Sequence, residues 1–355
     1  MKYIQLGALL VTIGSLNAQQ IPNLDDRAIV SLRPNGTQVP TNDTDGPYLH
    51  QGCDSHKVVT NPTARFIAYE STGALVSSDT NNRTDIYVRD RQTNTTSLAS
   101  RGHGNALGAT HAKCPRISND GRFVAFVSDS SNMWPGLSND GTNRIYLRDL
   151  DSNQTSLVSV KPNGQPAAAA SNSPALSGSG QFIAFTSEST DLVSSTLHYF
   201  QMPLTQGHSL PSTNVFVRNL STGQNEIITR NAWNPAYASD GTEVSHLSIS
   251  NDGRYISFAS NASDLVRDYP ICSRRGVSAV CMGNNVYIYD RTLQSMRLVR
   301  LPFRYINSIE QPAMSPNGQW IVVQSSQSSV WGTTGLYVYR NVEPYALATY
   351  VPGTF

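Results

Sequence analysis

A chain of 355 residues has room for one large all-β domain or two ordinary domains. Its net charge of +1 excludes an overall field that would recruit nucleic acid or an anionic membrane. Only 14% of its residues are charged, and the wealth of Ser, Thr, Asn and Gly suits many short strands joined by polar turns.

The chain opens with Met1-Lys2, a mainly apolar run from Tyr3 to Leu16, and the polar Asn17-Ala18-Gln19-Gln20. One positive charge, a short apolar core and a small residue before a polar stretch predict a secretory signal peptide over 1–18, cleaved after Ala18. The run is short for a membrane span, and no later apolar run could cross a bilayer. The mature chain, 19–355, is therefore expected in the periplasm or outside the cell as one domain without a transmembrane segment. A strand is predicted next, from Asp26 to Leu32. With Arg33-Pro34-Asn35-Gly36 after it, it matches Thr155 to Val160 and the following Lys161-Pro162-Asn163-Gly164.

From residue 57 onward a turn followed by a β-rich run recurs five times. The copies begin at Asn61-Pro62-Thr63-Ala64, Asn119-Asp120-Gly121, Gly178-Ser179-Gly180, Asn251-Asp252-Gly253 and Pro316-Asn317-Gly318. Each leads into an aromatic-containing strand, such as Phe123-Val124-Ala125-Phe126 or Trp320-Ile321-Val322-Val323. Asn and Gly tolerate the positive φ that a tight hairpin requires. A second run follows each first one, as in Asp85-Ile86-Tyr87-Val88-Arg89-Asp90 and Asn285-Val286-Tyr287-Ile288-Tyr289-Asp290. A third lies beyond another polar turn. With a short strand before each tight turn, every unit has four strands, in units of roughly 57–100, 114–160, 173–230, 246–300 and 311–351. β-branched and aromatic residues dominate, and no amphipathic helix interrupts them.

Four-stranded antiparallel units in tandem predict an all-β fold, a β-propeller of five blades with six as the alternative count. The units resemble the PD40 (WD40-like) repeats of the TolB-like propellers: a Ser-Asn/Pro-Asp/Asn-Gly-Arg-Phe turn and strand, then a Tyr-Val-Arg-Asp strand. The resemblance covers nearly all of the mature chain. It implies the fold and leaves the function open, because such blades serve binding proteins and enzymes alike. Within a propeller the strand at 26–32 becomes an extra outer strand that could complete the last blade and join the chain ends. Tyr345 to Tyr350 could fill the same place.

Strand order then assigns the loops to two faces. The tight turns occupy one; the loops between second and third strands share the other with the connections between blades. On the second face the loops from Glu188 to Ser212 and from Asn261 to Asn284 exceed what a hairpin needs. All seven histidines, all four cysteines and three of the four tryptophans fall there. Trp134, Trp233, Trp331 and His198 are the predicted contact residues of a surface for a protein, peptide or glycan of the envelope or exterior.

His56, Cys114, Ser173, His246 and Gln311 begin the inner strands, in register or close to it. His56, His246 and Gln311, with Ser173 beside them, are candidates for the mouth of the central channel. Their neutral nitrogen and oxygen atoms could surround a divalent metal. Related propellers among the oligogalacturonate lyases imply such a histidine-and-glutamine site, although their histidine spacing is not reproduced here. The plainer expectation is a wet channel in which these groups bond to water. Four cysteines suit an oxidising compartment. Cys53 with Cys114 and Cys272 with Cys281 would close loops of roughly sixty and ten residues, each contributing about 3–4 kcal/mol.

No Gly-x-Ser-x-Gly elbow, Gly-rich phosphate loop or HExxH motif is present. Glu310 and Asp54 lie near inner-strand starts without forming a recognisable acid–base pair. The oxygen-rich stretches Asp79 to Asp85 and Ser138 to Asn143 could offer ligands to calcium but lack a complete EF-hand pattern. The sequence therefore predicts a monomeric, non-enzymatic binding propeller without a cofactor. Its alternative is a metal-assisted polysaccharide lyase or hydrolase working at the channel mouth.

Overall fold

Alternating β-branched and aromatic residues between Gly- and Asn-bearing turns fold here into short antiparallel meanders. The computed structural model describes residues 58–194, 197–199, 201–203, 209–241, 243–267, 285–299, 308–326, 335–341 and 349–350. The expected signal peptide, the strand at 26–32, Cys53, His56, Cys272, Cys281 and Trp331 lie outside the described residues, and of Gln311 only the backbone is described.

The first sheet holds β1 (Val58–Thr60), β2 (Phe66–Ser71), β3 (Asp85–Asp90) and β4 (Thr95–Leu98). The second holds β5 (Ala112–Ile117), β6 (Phe123–Ser128), β7 (Arg144–Asp149) and β8 (Gln154–Leu157). In the third, β9 (Ser171–Leu176) and β10 (Phe182–Ser187) are separated from their partners by a small hairpin, β11 (Gln201–Pro203) with β12 (Ser209–Pro211). The sheet then continues with β13 (Asn214–Asn219) and β14 (Asn225–Ile227). The fourth comprises β15 (Val244–Ile249), β16 (Tyr255–Ser260), β17 (Asn285–Asp290) and β18 (Ser295–Leu298). The fifth comprises β19 (Ser308–Met314), β20 (Trp320–Ser326), β21 (Gly335–Arg340) and β22 (Thr349–Tyr350).

Each of these five sheets is ordered as its strands occur in the chain, and the first strands of successive sheets lie against one another. The fold is thus a β-propeller with five four-stranded blades among the described residues. In the fifth blade the outer place beside β21 is taken by β22, through Tyr337↔Tyr350 and Val338↔Thr349. No helix among the described residues is long and apolar enough to cross a membrane.

The core lies between blades. Phe126 stacks on Tyr146 at 5.6 Å, and their sheet face meets Ala68, Ile86 and Val88 of the first blade. Phe185 with Phe216 and Phe258 with Tyr287 repeat the arrangement toward the preceding blade, against Ala125, Val127 and Ile145 and against Ala184, Val215 and Val217. All six rings are fully buried, and burying one Phe-sized side chain is worth about 1.5–3 kcal/mol. An exposed ion pair is worth about 0–1 kcal/mol, so inter-blade packing dominates the holding of the ring.

The tight turns add a fixed spacing. Gly121, Gly180, Gly253 and Gly318 press against Phe66, Phe123, Phe182 and Tyr255 of the blade before, so closely that a Cβ would collide with each ring. Hydrogen bonds run from turn to turn: Asn61 Nδ2 donates to Asn119 O, Asn119 N to Gly178 O, Ser179 N to Asn251 O and Asn251 N to Pro316 O. This face therefore works as a hub.

Candidate functional site

The loop-rich face begins where each third strand starts and each outer strand ends. Between the third and fourth blades the loop after β14 is pinched by an antiparallel bridge, Arg230↔Ala238. Asn231 organises its interior: Oδ1 accepts from Trp233 N at 2.9 Å and Asn234 N at 3.0 Å, and Nδ2 donates to Asp264 at 2.8 Å. The Arg230 guanidinium donates to Pro235 O at 3.0 Å, and Ala232 N to Asp264 O at 2.7 Å. From the long loop of the third blade, His198 N donates to Ala236 O and His198 O accepts from Ala238 N. The loop is thus held on three sides.

Two aromatic rings project from this frame. Trp233 is 57% exposed and Tyr237 43% exposed; the other exposed large hydrophobics among the described residues are Val58 and Leu293. The imidazole of His198 stacks on Tyr237 with centroids 4.8 Å apart. Exposing such rings costs hydrophobic free energy, and a rigid loop removes the entropy cost of ordering them on contact. Tyr237 was not singled out in the sequence. Its signal is the spacing in Trp233-Asn234-Pro235-Ala236-Tyr237, which places two rings on one short loop.

Beneath the loop, Asp264 accepts from Ser239 Oγ, Asp240 N and Asn231 Nδ2. Burial pushes its carboxyl above the ordinary aspartate value, helped by the charge of Asp240. These contacts tie the loop to the loop after β16 and leave Asp264 no free oxygen for chemistry.

The other predicted contact residues fare differently. Trp134 is half-buried against the core between the first two blades, with exposed His103 edge-on to it at 5.3 Å. It shares the face with Trp233 and His198 but offers less surface. Trp331 lies outside the described residues.

At the channel mouth the repeat is more regular than its residue types suggest. The pairing of the two inner strands shifts at Cys114-Pro115, Ser173-Pro174, His246-Leu247 and Gln311-Pro312. Cys114, Ser173 and His246 have φ of 60°, 47° and 55°. These are β-bulges with a left-handed residue, repeated from blade to blade. The matching position of the first blade precedes β1 and lies outside the described residues. Cys114 is buried and disulfide-bonded to a cysteine outside the described residues, and its N–H donates to Glu70 of the first blade at 2.8 Å. Ser173 is buried; His246 is half-buried with Nδ1 3.0 Å from Ser245 Oγ. Among the described residues no three His, Cys, Asp or Glu side chains are grouped as metal ligands.

An open cleft of about 710 Å³ lies on the opposite face, between the tight turns of the first two blades. Its walls include Asn61, Arg65, Phe66 and Asn119. Arg65 is paired with Asp90 of its own blade, and Asn61 donates to the neighbouring turn.

No family model matches the sequence, and no curated protein matches it. Solved structures similar to the chain include TolB from Acinetobacter baumannii, at 18% identity and a TM-score of 0.42 over 80% of this chain and 51% of that one. The β-propeller domain of the Trilobed protease from Pyrococcus furiosus is similar at 12% identity and a TM-score of 0.45, over 83% and 69% of the two chains. Oligogalacturonate lyase from Vibrio parahaemolyticus is similar at 10% identity and a TM-score of 0.37, over 81% and 75%. The chain spans about half the length of the Acinetobacter protein. At these identities the likeness concerns the fold alone.

Proposed function

We propose that this chain is an exported binding propeller that engages a protein, peptide or glycan through its loop-rich face, at a contact centred on Trp233, Tyr237 and His198. One observation carries the reading: the two exposed aromatic rings share a loop fixed by Asn231, Arg230 and Asp264. Rigid, amphipathic rings give contact area at low entropic cost, which is why Trp and Tyr anchor so many interfaces. Export rests on the signal-peptide pattern at 1–18, and the oxidising compartment on four cysteines, with Cys53–Cys114 and Cys272–Cys281 as the proposed pairs. The mature chain acts as a monomer without a cofactor in this reading.

Arrayed oligosaccharides and extracellular peptides, probed with the mature chain, identify the partner class. Trp233→Ala with Tyr237→Ala is expected to weaken the identified interaction by roughly 30-fold, the size of an anchor residue of about 2 kcal/mol. Trp134→Ala is expected to change it far less. Full affinity in the double variant would move the contact elsewhere. Metal-dependent cleavage of an acidic polysaccharide that disappears in His246→Ala would replace the binding reading with the enzyme.

A further inference from the structure

The start of the third strand is the same place in every blade. Asp85, Arg144, Asn214, Asn285 and Gly335 occupy it, opposite Ser71, Ser128, Ser187, Ser260 and Ser325. In the second blade Arg144 turns its guanidinium onto Asp140, with bonds of 3.2 Å to Oδ1 and 2.9 Å to Oδ2. A buried cation and its carboxylate compensate one another there. In the third blade the neutral Asn214 bonds to Ser212 and Thr229.

The first blade has two carboxylates instead. Asp79 is 7% exposed and Asp85 only 1%. Asp79 accepts from the Tyr87 hydroxyl and from Asn81 N. Asp85 Oδ1 accepts from Ser100 Oγ, but its Oδ2 is buried without a hydrogen bond. The Asn81 amide also interacts with the Asp85 carboxylate as a hydrogen-bond donor, favouring its ionised form. Arg101, whose charge does the same, directs its guanidinium to the Asn105 and Ser78 carbonyls. Among the described residues no cationic side chain forms an ion pair with Asp79 or Asp85. Two buried carboxylates without a cation are costly, and the second blade shows what the position takes when a cation is tethered to the chain.

We propose that the first blade binds a hard divalent cation of the Ca²⁺ type between Asp79 and Asp85, which takes the place of the guanidinium of the second blade. The unpartnered Asp85 Oδ2 and the Asp79 carboxylate supply the protein's ligands, completed by water or loop carbonyls, while Asn81, whose Oδ1 accepts from Arg83 N at 2.9 Å and whose Nδ2 donates to Gly108 O at 3.2 Å, positions the loop around them. Oxygen ligands select against zinc and copper. His111, the nearby imidazole, uses Nδ1 on Thr84. A chain segment that must satisfy six to eight ligands flexibly suits Ca²⁺ better than Mg²⁺, which demands a tight octahedron and keeps its water. The site lies under the loops of the proposed binding face and does not depend on what that face binds.

The test uses the mature chain, stripped with EDTA and titrated calorimetrically with CaCl₂ or MgCl₂, alongside thermal melts. One Ca²⁺ per chain is expected, with a melting temperature that climbs with Ca²⁺ and responds less to Mg²⁺. Asp85→Asn is expected to abolish both responses and to melt above the wild type in EDTA, because it removes an uncompensated charge. Asn81→Ala, at a partly exposed position, is expected to fold normally and bind roughly tenfold more weakly. The proposal is overturned by a wild type that shows neither heat nor a shift. Binding that survives unchanged in both variants overturns it equally.

Discussion

Arginine supplies nearly all of the positive charge, and its repeated positions show why lysine would not serve. Arg65, Arg122 and Arg254 each place a planar fork on Asp90, Asp149 and Asp290 while covering the ring of Phe66, Phe123 and Tyr255. Arg89 and Arg148 each hold the left-handed Asn94 or Asn153 of the following turn through both its carbonyl and its side chain. An ammonium cannot make two parallel bonds and stack at once. The same residues set the response to pH. Hydrogen bonds from Arg65 and Arg122 hold Asp90 and Asp149 well below the usual carboxylate range. Burial pushes Asp85 up to about 6 and raises Asp264 as well. A raised carboxyl binds its proton more readily in the folded state, so its charge opposes folding at neutral pH and the opposition fades as pH falls through 6. The lowered carboxyls contribute stability that is complete above about 4 and is lost on further acidification. Urea unfolding in EDTA is therefore expected to show stability rising from pH 7 to about 5 and falling below about 4. Asp85→Asn should shrink the rise and leave the acid limb; an unchanged rise would remove Asp85 as its source.

Two backbone devices recur from blade to blade among the described residues, with different tolerances. At the tight turn Gly180 has φ +70°, and an added Cβ would lie 2.6 Å from Cδ2 of Phe123. Gly164, in the loop after β8, has φ +82° and open space around it. Gly164→Ala should cost only the left-handed penalty of about 1–2 kcal/mol. Gly180→Ala should add an overpacking cost of about 1–3 kcal/mol. Equal losses in urea titrations would show that the close approach to Phe123 can relax. The inner-strand bulge behaves differently, because non-glycine residues occupy it. His246→Gly is expected to lie within about 0.5 kcal/mol of wild type, since relief of φ 55° is offset by a freer unfolded chain. His246→Val, with a β-branched side chain in the left-handed region, should cost about 1–2 kcal/mol. The hairpin turns were readable from Asn-Asp-Gly and Pro-Asn-Gly. The bulges were not, because Cys114 and Ser173 precede proline, where a residue is ordinarily extended, and His246-Leu247 carries no turn residue at all.

For the whole molecule the question is how blade follows blade. The loop after β4 covers the outer strands of the next blade, where Arg101 O accepts from Thr155 Oγ1 on β8 and Asn105 Oδ1 from Arg148 on β7. The loop after β8 does the same for β14, where Val160 O accepts from Asn225 Nδ2. Ala64 stands where the later turns have Gly121, Gly180, Gly253 and Gly318.

The sequence by itself determined the architecture: period-two apolar strands, turn residues at fixed offsets and five copies of one unit leave a stacked meander as the way to bury both faces of each sheet. It also placed Trp233 and His198 on one face, because strand order alone assigns loops to faces. Only the tertiary structure decided that Tyr237 joins them and Trp134 is half-buried, since exposure depends on which loop lies over which. The same holds for Asp85. A polar residue opening a strand resembles any turn residue until neighbouring loops remove it from water, and burial, not identity, makes its unpartnered oxygen informative.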